Sequence, residues 1–198
     1  MTSIVVVKVG GSLLEWSELP FRLAQFLEGR RHPQILLIAG GGRATDLVRD
    51  FDATHQLGES HAHALALRSL DLSAYLLNSL VAKSRVIDNI TDVQTMWNGL
   101  DLPILAPRQF LDDEDSSASP LPHLWSVTSD TIAARVALHL KAKELVLLKS
   151  VAARPGWTRD EAARQGVVDP YFVTAAAGLA FVSSQNLRDP QGKAVELL

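Results

Sequence analysis

Cysteine is absent from the 198-residue chain, which excludes disulfides, cysteine-based metal sites and thiol nucleophiles. Long apolar runs are missing too; none approaches the roughly 20 residues that a membrane-crossing helix needs. Lysine and arginine are scattered rather than gathered into a stripe. With 19 basic residues against 22 acidic ones the formal net charge is −3, so the electrostatic footprint of a nucleic-acid partner is lacking. The first residues run straight into an apolar segment, with no basic stretch or cleavage pattern, and a secretory signal is not expected. These absences predict a cytoplasmic protein with neither nucleic-acid nor membrane partners. What is present, 47% hydrophobic and 21% charged residues, is the balance of a globular chain rather than a disordered one. A chain of this size is expected to form one domain, residues 1–198, around one core.

Ile4–Val9 and the run 35–39 are apolar at successive positions, the pattern of strands covered on both faces in a parallel sheet. Shorter runs of this kind occupy 85–90, 103–106, 144–149 and 179–183. Helical periodicity fills the intervals: 19–29, 44–51, the Ala- and Leu-rich 60–81, and 129–141, where Thr128 or Ser129 suits an N-cap. The alternation predicts an α/β three-layer sandwich with a mostly parallel central sheet and right-handed crossovers. One segment departs from it. Residues 112–120 are acidic, small and polar, hence an exposed loop, either a plain connector or a mobile cover for a site.

Two glycine-rich turns end two of the apolar runs: Lys8-Val9-Gly10-Gly11-Ser12 and Ala39-Gly40-Gly41-Gly42. Glycine lets backbone N–H groups approach an anion closely, and a helix starting just afterwards adds unpaired N–H groups and a positive dipole end. The pair therefore reads as a polyphosphate cradle. A P-loop is excluded because neither turn continues into Lys-Ser/Thr, and a dinucleotide fingerprint because the third glycine is missing after Gly11.

Together with Ser126-Val127-Thr128-Ser129-Asp130 and Leu147-Leu148-Lys149-Ser150-Val151, these turns resemble the amino acid kinase family, in order along nearly the whole chain. Ala62-His63-Ala64-Leu65, Leu70-Asp71, Trp125 to Asp130 and Val168-Asp169-Pro170-Tyr171-Phe172 are similar to its small branch in methanofuran biosynthesis. That branch phosphorylates an aminomethylfuran-methyl phosphate. The resemblance implies ATP as phosphoryl donor, Mg²⁺ carried on its phosphates, a small carboxylate or phosphate acceptor, and a homo-oligomeric assembly.

Phosphoryl transfer asks a protein mainly for alignment and charge neutralisation. Lys8 interrupts an apolar strand, which fits a cation for the β- and γ-phosphates better than a snorkelling side chain. The resemblance gives Asp130 the role of holding Lys8 by an ion pair, although an acid in a first helical turn is favoured by the dipole anyway. If Asp130 orients Lys8, Asp130→Asn should lower turnover strongly while changing stability by only some tenths of a kcal/mol, about the size of a dipole contribution. Lys149 ends a strand at the carboxyl edge, where it either neutralises phosphate charge or is merely solvated. Gly10, Gly11, Ser12, Gly40, Gly41, Gly42 and Ser150 are assigned to phosphate and nucleotide binding. Arg43, His63 and Asp71 are candidates for the acceptor: Arg43 for an anion, Asp71 for an amine. A surface arginine, a satisfied histidine and a solvated acid are the alternatives. Trp97 and Trp125 read as packing residues. The histidines His55, His61 and His63 lack the carboxylates of a zinc site, and no metal ligand set is assigned.

Two departures matter. Many relatives carry a second catalytic lysine in a Gly-Gly-Met-x-x-Lys segment, whereas 165–172 here contains none. Val151-Ala152-Ala153-Arg154 also replaces the Asp-x-x-Gly-type segment that frames the base and ribose. A kinase in which Lys149 compensates, a family member that binds without turnover and a dinucleotide-binding module are the competing readings.

Overall fold

The computed structural model describes residues 3–30 and 34–198. Among these residues seven strands form one sheet in the order β3-β4-β2-β1-β5-β6-β7. They are β1 (Ile4–Val9), β2 (Gln34–Ala39), β3 (Ser84–Ile87), β4 (Leu102–Leu105), β5 (Glu144–Lys149), β6 (Val182–Asn186) and β7 (Val195–Glu196). Every pairing is parallel except that of β6 with β7. The helices are α1 (Leu19–Glu28), α2 (Gly42–His55), α3 (Glu59–Leu80), α4 (Val93–Asn98), α5 (Arg108–Glu114), α6 (Ser129–His139), α7 (Arg159–Arg164) and α8 (Phe172–Ala175). Among the described residues no helix is long and apolar enough to cross a membrane.

Successive side chains of a strand point to opposite faces, so the uninterrupted apolar runs divide into two cores. Val5, Val7 and Val9 join Leu19 and Leu23 of α1 on one face. Val6, Leu145 and Leu147 join Ile132, Ala133, Val136 and Ala137 of α6 on the other. The three-layer sandwich follows from this division. The long α3 serves both layers, with Leu67 and Leu70 in one core and Ala74 and Leu77 in the other.

Helix α2 runs Gly42–His55, past its expected 44–51 at both ends, and three other differences from the expected extents have a visible cause. The run at 85–90 stops at Ile87, because Asn89 accepts from the Thr91 N–H and starts a 3-10 turn over Ile90–Asp92. The run at 179–183 begins its strand only at Val182; the Leu179 carbonyl is taken off the sheet by Arg159 Nη2 at 2.8 Å. The segment 112–120 is not wholly loop. Phe110 and Leu111 are buried and carry α5 through Glu114, with Arg108 bonded to Asp112 at 2.8 Å along the helix.

The parallel register brings both glycine turns to one edge, since Val9 pairs with Ala39 and also with Leu148. There the turns touch. A Cβ on Gly40 would lie 2.5 Å from the Gly11 nitrogen, and one on Gly11 would collide with the Gly42 backbone. Neither backbone can yield cheaply, so Gly11→Ala should lower the unfolding midpoint markedly, at a cost of about 1–3 kcal/mol or more. Gly29→Ala is the control: Gly29 has a negative φ and no neighbour nearer than 3.5 Å, so its midpoint should hold. Thermal denaturation of the two variants checks the contrast.

Candidate active site

Strand parity carries Lys8 to the α6 face. It follows Val6 on that side of β1, and Lys149 follows Leu145 and Leu147 on the same side of β5. Helix α6 begins against this face, its N-cap Thr128 accepting from the Asp130 N–H. Asp130, in the first turn, then reaches both lysines: Oδ1 lies 2.7 Å from Lys8 Nζ, and Oδ2 accepts from Lys149 Nζ at 2.6 Å. Lys8 and Asp130 are each 4% exposed. Burial opposes the charge on Asp130, but the Lys149 and Lys8 ammoniums outweigh it and bring its pKa down to about 2. Burial depresses Lys149 to about 8, with Asp130 supporting its charge and Lys8 opposing it. Two ammoniums thus share one carboxylate in a dry place.

Asp169 fixes the helix that presents Asp130. Its Oδ2 accepts from Thr128 Oγ1 at 2.7 Å and the Thr131 N–H at 3.1 Å. Its Oδ1 accepts from Thr131 Oγ1 at 2.6 Å and the Phe172 N–H at 3.0 Å. These bonds straddle Asp130 in sequence and tie the start of α6 to the start of α8. Asp169 went unassigned in the sequence although the signal was there. It is a single charge in the apolar stretch Val167–Phe172, the same signal that singled out Lys8.

A cavity of about 290 Å³ opens beside the turns. Gly11, Ser12, Gly41, Gly42, Thr128 and Ser129 form its polar end, and Leu67, Leu70 and Ile132 its apolar floor. Lys8, Asp130 and Lys149 lie behind this wall rather than in it. Trp125 is more than a packing residue. It lines the cavity, donates to Asp52 Oδ2 at 2.9 Å and carries the Arg49 guanidinium 5.1 Å from its ring centre. Trp97 does pack, donating to the Ile35 carbonyl at 2.7 Å.

His63 is in the wall and stacks on His123, ring centres 4.3 Å apart. Its pKa is lowered by burial and then by His123. Arg43 is not in the wall; its side chain is 82% exposed, beside Glu15. Arg49, further along the same helix, is the arginine that lines the cavity. Asp71 is also outside. Its carboxylate accepts from the Arg108 N–H and Nε, both at 3.2 Å, and so ties α3 to α5. Ser12 and Ser150 meet across the edge, their hydroxyls 2.9 Å apart. Gly10 donates its N–H to Leu148 O at 2.8 Å and is committed to the sheet.

The model of the amino acid kinase family matches residues 3–153. The chain belongs to the amino acid kinase family. It is similar to [5-(aminomethyl)furan-3-yl]methyl phosphate kinase of Methanocaldococcus jannaschii, with 24% identity over 146 residues, 74% of this chain and 65% of that protein. Solved structures share the fold. Aspartate kinase from Synechocystis superposes with a TM-score of 0.66 at 15% identity, over 99% of this chain and 40% of that one. Uridylate kinase from Archaeoglobus fulgidus gives 0.59 at 15% identity, over 98% of this chain and 90% of that one. Asp169 lies beyond the residues that the family model matches.

The geometry corrects the mild expectation for Asp130→Asn. Thr128 is the cap, and Asp130 is the sole counter-charge in contact with the two buried ammoniums among the described residues. The substitution should therefore cost about 3–5 kcal/mol, the range for breaking a buried pair. Lys8→Met leaves Asp130 paired with Lys149 and should cost less. In urea titrations the double variant should lose less than the sum of the two single losses, since the residues are in contact.

Proposed function

We propose that the protein is a small-molecule kinase that moves the γ-phosphoryl group of ATP to a phosphate or carboxylate oxygen of a small acceptor. The observation that carries this reading is the Asp130 carboxylate bridging Lys8 and Lys149 at the strand edge where the two glycine turns meet. The acceptor oxygen attacks the γ-phosphorus as its bond to the β,γ-bridging oxygen breaks, ADP leaves, and no phosphoenzyme forms. Charge in this transfer lies on peripheral oxygens. Lys8 and Lys149 offset it, while Asp130 fixes both ammoniums before the reaction begins. Backbone N–H groups of the glycine turns align the phosphates.

The acceptor occupies the cavity, its anionic end at Gly11, Gly41 and Gly42 and its body on the apolar floor beside Trp125. An aminomethylfuran-methyl phosphate, the substrate in the relative's name, suits these walls, and Glu59, also in the wall, offers its amine a carboxylate. Mg²⁺ supplies further charge neutralisation when bound. Such an ion rides on the nucleotide phosphates with few protein ligands. A homo-oligomer and a cytoplasmic location complete the proposal; Leu72, Tyr75 and Leu76, exposed on α3, give a second copy an apolar face to cover.

A second reading has its own observation. The stretch 165–172 contains no lysine, and its one charged side chain, Asp169, is spent on bracing α6. On this reading the protein binds the donor without turning it over.

Purified protein with Mg-ATP and the furan phosphate should release ADP only when acceptor is present. Tight ATP binding by calorimetry with no ADP release establishes the binder instead. In an active enzyme kcat/KM, which reports the unloaded site, should fall as pH rises through about 8, because the Lys149 ammonium is lost there. A kcat/KM profile that stays flat to pH 10, two units past that value, removes Lys149 from the transfer step.

A further inference from the structure

We propose that Arg188 is a donor-phosphate residue, its guanidinium joining the Ser12 and Ser150 hydroxyls to bind the terminal phosphates of a nucleoside triphosphate. This rests on the kinase reading above. Lys149 pairs with Asn186 across β5 and β6, and the Leu187 N–H donates to Lys149 O at 2.9 Å. Residue 188 therefore leaves the sheet beside Lys149 and Ser150. From there Arg188 turns back over the first glycine turn. Its Nη2 donates to Ser12 O at 3.1 Å, and its guanidinium lies 5.7 Å from the Trp16 ring centre.

The turn that presents it is tied down on both sides. The Arg188 N–H donates to Asn186 Oδ1 at 3.1 Å, the Gln191 N–H to Asp189 Oδ1 at 2.9 Å, and Arg22 Nη2 to Asp189 O at 3.0 Å. A guanidinium carries five N–H donors in a planar fork that matches phosphate oxygens. Among the described residues Arg188 is bonded through its side chain only to the Ser12 carbonyl and makes no ion pair. Ser12 and Ser150 satisfy each other, so an arriving phosphate exchanges one hydroxyl partner for another at little cost.

Charge argues the same way. Lys8 and Lys149 are both engaged by Asp130, and no lysine comes from 165–172. Arg188 is an exposed cation that meets this edge at the Ser12 carbonyl. Its position outside the acceptor cavity wall assigns it to the donor rather than to an acceptor phosphate.

Calorimetry with ATP, ADP and AMP separates the possibilities. Arg188→Gln should weaken ATP about tenfold or more, as for a lost charge-assisted bond, and leave AMP within about twofold. Arg188→Lys, which keeps the charge and loses the fork, should fall between. Arg22→Gln releases the Asp189 carbonyl without removing the Arg188 charge, and its ATP affinity should match wild type. Unchanged ATP affinity in Arg188→Gln overturns the assignment while the kinase reading stands. An equal loss in Arg22→Gln reduces Arg188 to a loop anchor and overturns it as well. Wild-type protein that binds no ATP removes the kinase reading, and this assignment with it.

Discussion

One carboxylate holding two buried ammoniums governs the rest of this molecule. Asp130 reaches Lys8 and Lys149 only if β1 and β5 are neighbours in their observed register and α6 starts directly over them. Taking three charges out of water is costly, and a buried ion pair seldom returns more than a well-packed apolar group in its place. Such a cluster is therefore poor evidence for stability and good evidence for a task. The surrounding structure bears its cost. Val6, Leu145 and Leu147 pack the same sheet face, and Asp169 braces the helix start through Thr128 and Thr131.

The glycine turns play two parts at once. Gly11 and Gly40 lack side chains because the turns press backbone to backbone, a requirement of packing that holds with or without a ligand. The same contact brings two sets of backbone groups to one end of the cavity. Packing and phosphate binding thus favour the same residue. Glycine content alone could not have separated them.

Much of the architecture was legible because burial on both strand faces leaves an unmistakable apolar run. Ile4–Val9 and Glu144–Lys149 have the bounds their runs suggested. Lys8 stood out as a charge within such a run; strand parity puts it on the α6 face, while its pairing with Asp130 was what the family resemblance implied. Less legible was anything decided by a partner distant in sequence. Leu179 looked like strand until its carbonyl was claimed by Arg159. The acids of 112–114 looked like loop because the burial of Phe110 and Leu111 depends on helices that no local pattern announces. On α2 the sequence pointed to Arg43 for an anion and passed over Arg49, which the packing of α3 and Trp125 puts at the cavity instead. Asp71 read as a free acid for the same reason: Arg108, its partner, arrives from another element.

The balance of charge in the cluster also bears on what it binds. Two ammoniums compete for one carboxylate, and Lys149 bears the cost: burial first, and then the neighbouring Lys8, bring its pKa down to about 8, while that of Asp130 falls to about 2. A site meant only to hold the fold together would gain by deleting one lysine and leaving a matched pair. Retaining both leaves it one negative charge short. An anion with several oxygens, arriving at the strand edge where the glycine turns meet, supplies what is missing and restores the full charge of Lys149. The cluster is then electrostatically complete only when loaded. That is the physical sense in which this edge of the sheet is prepared for a phosphate.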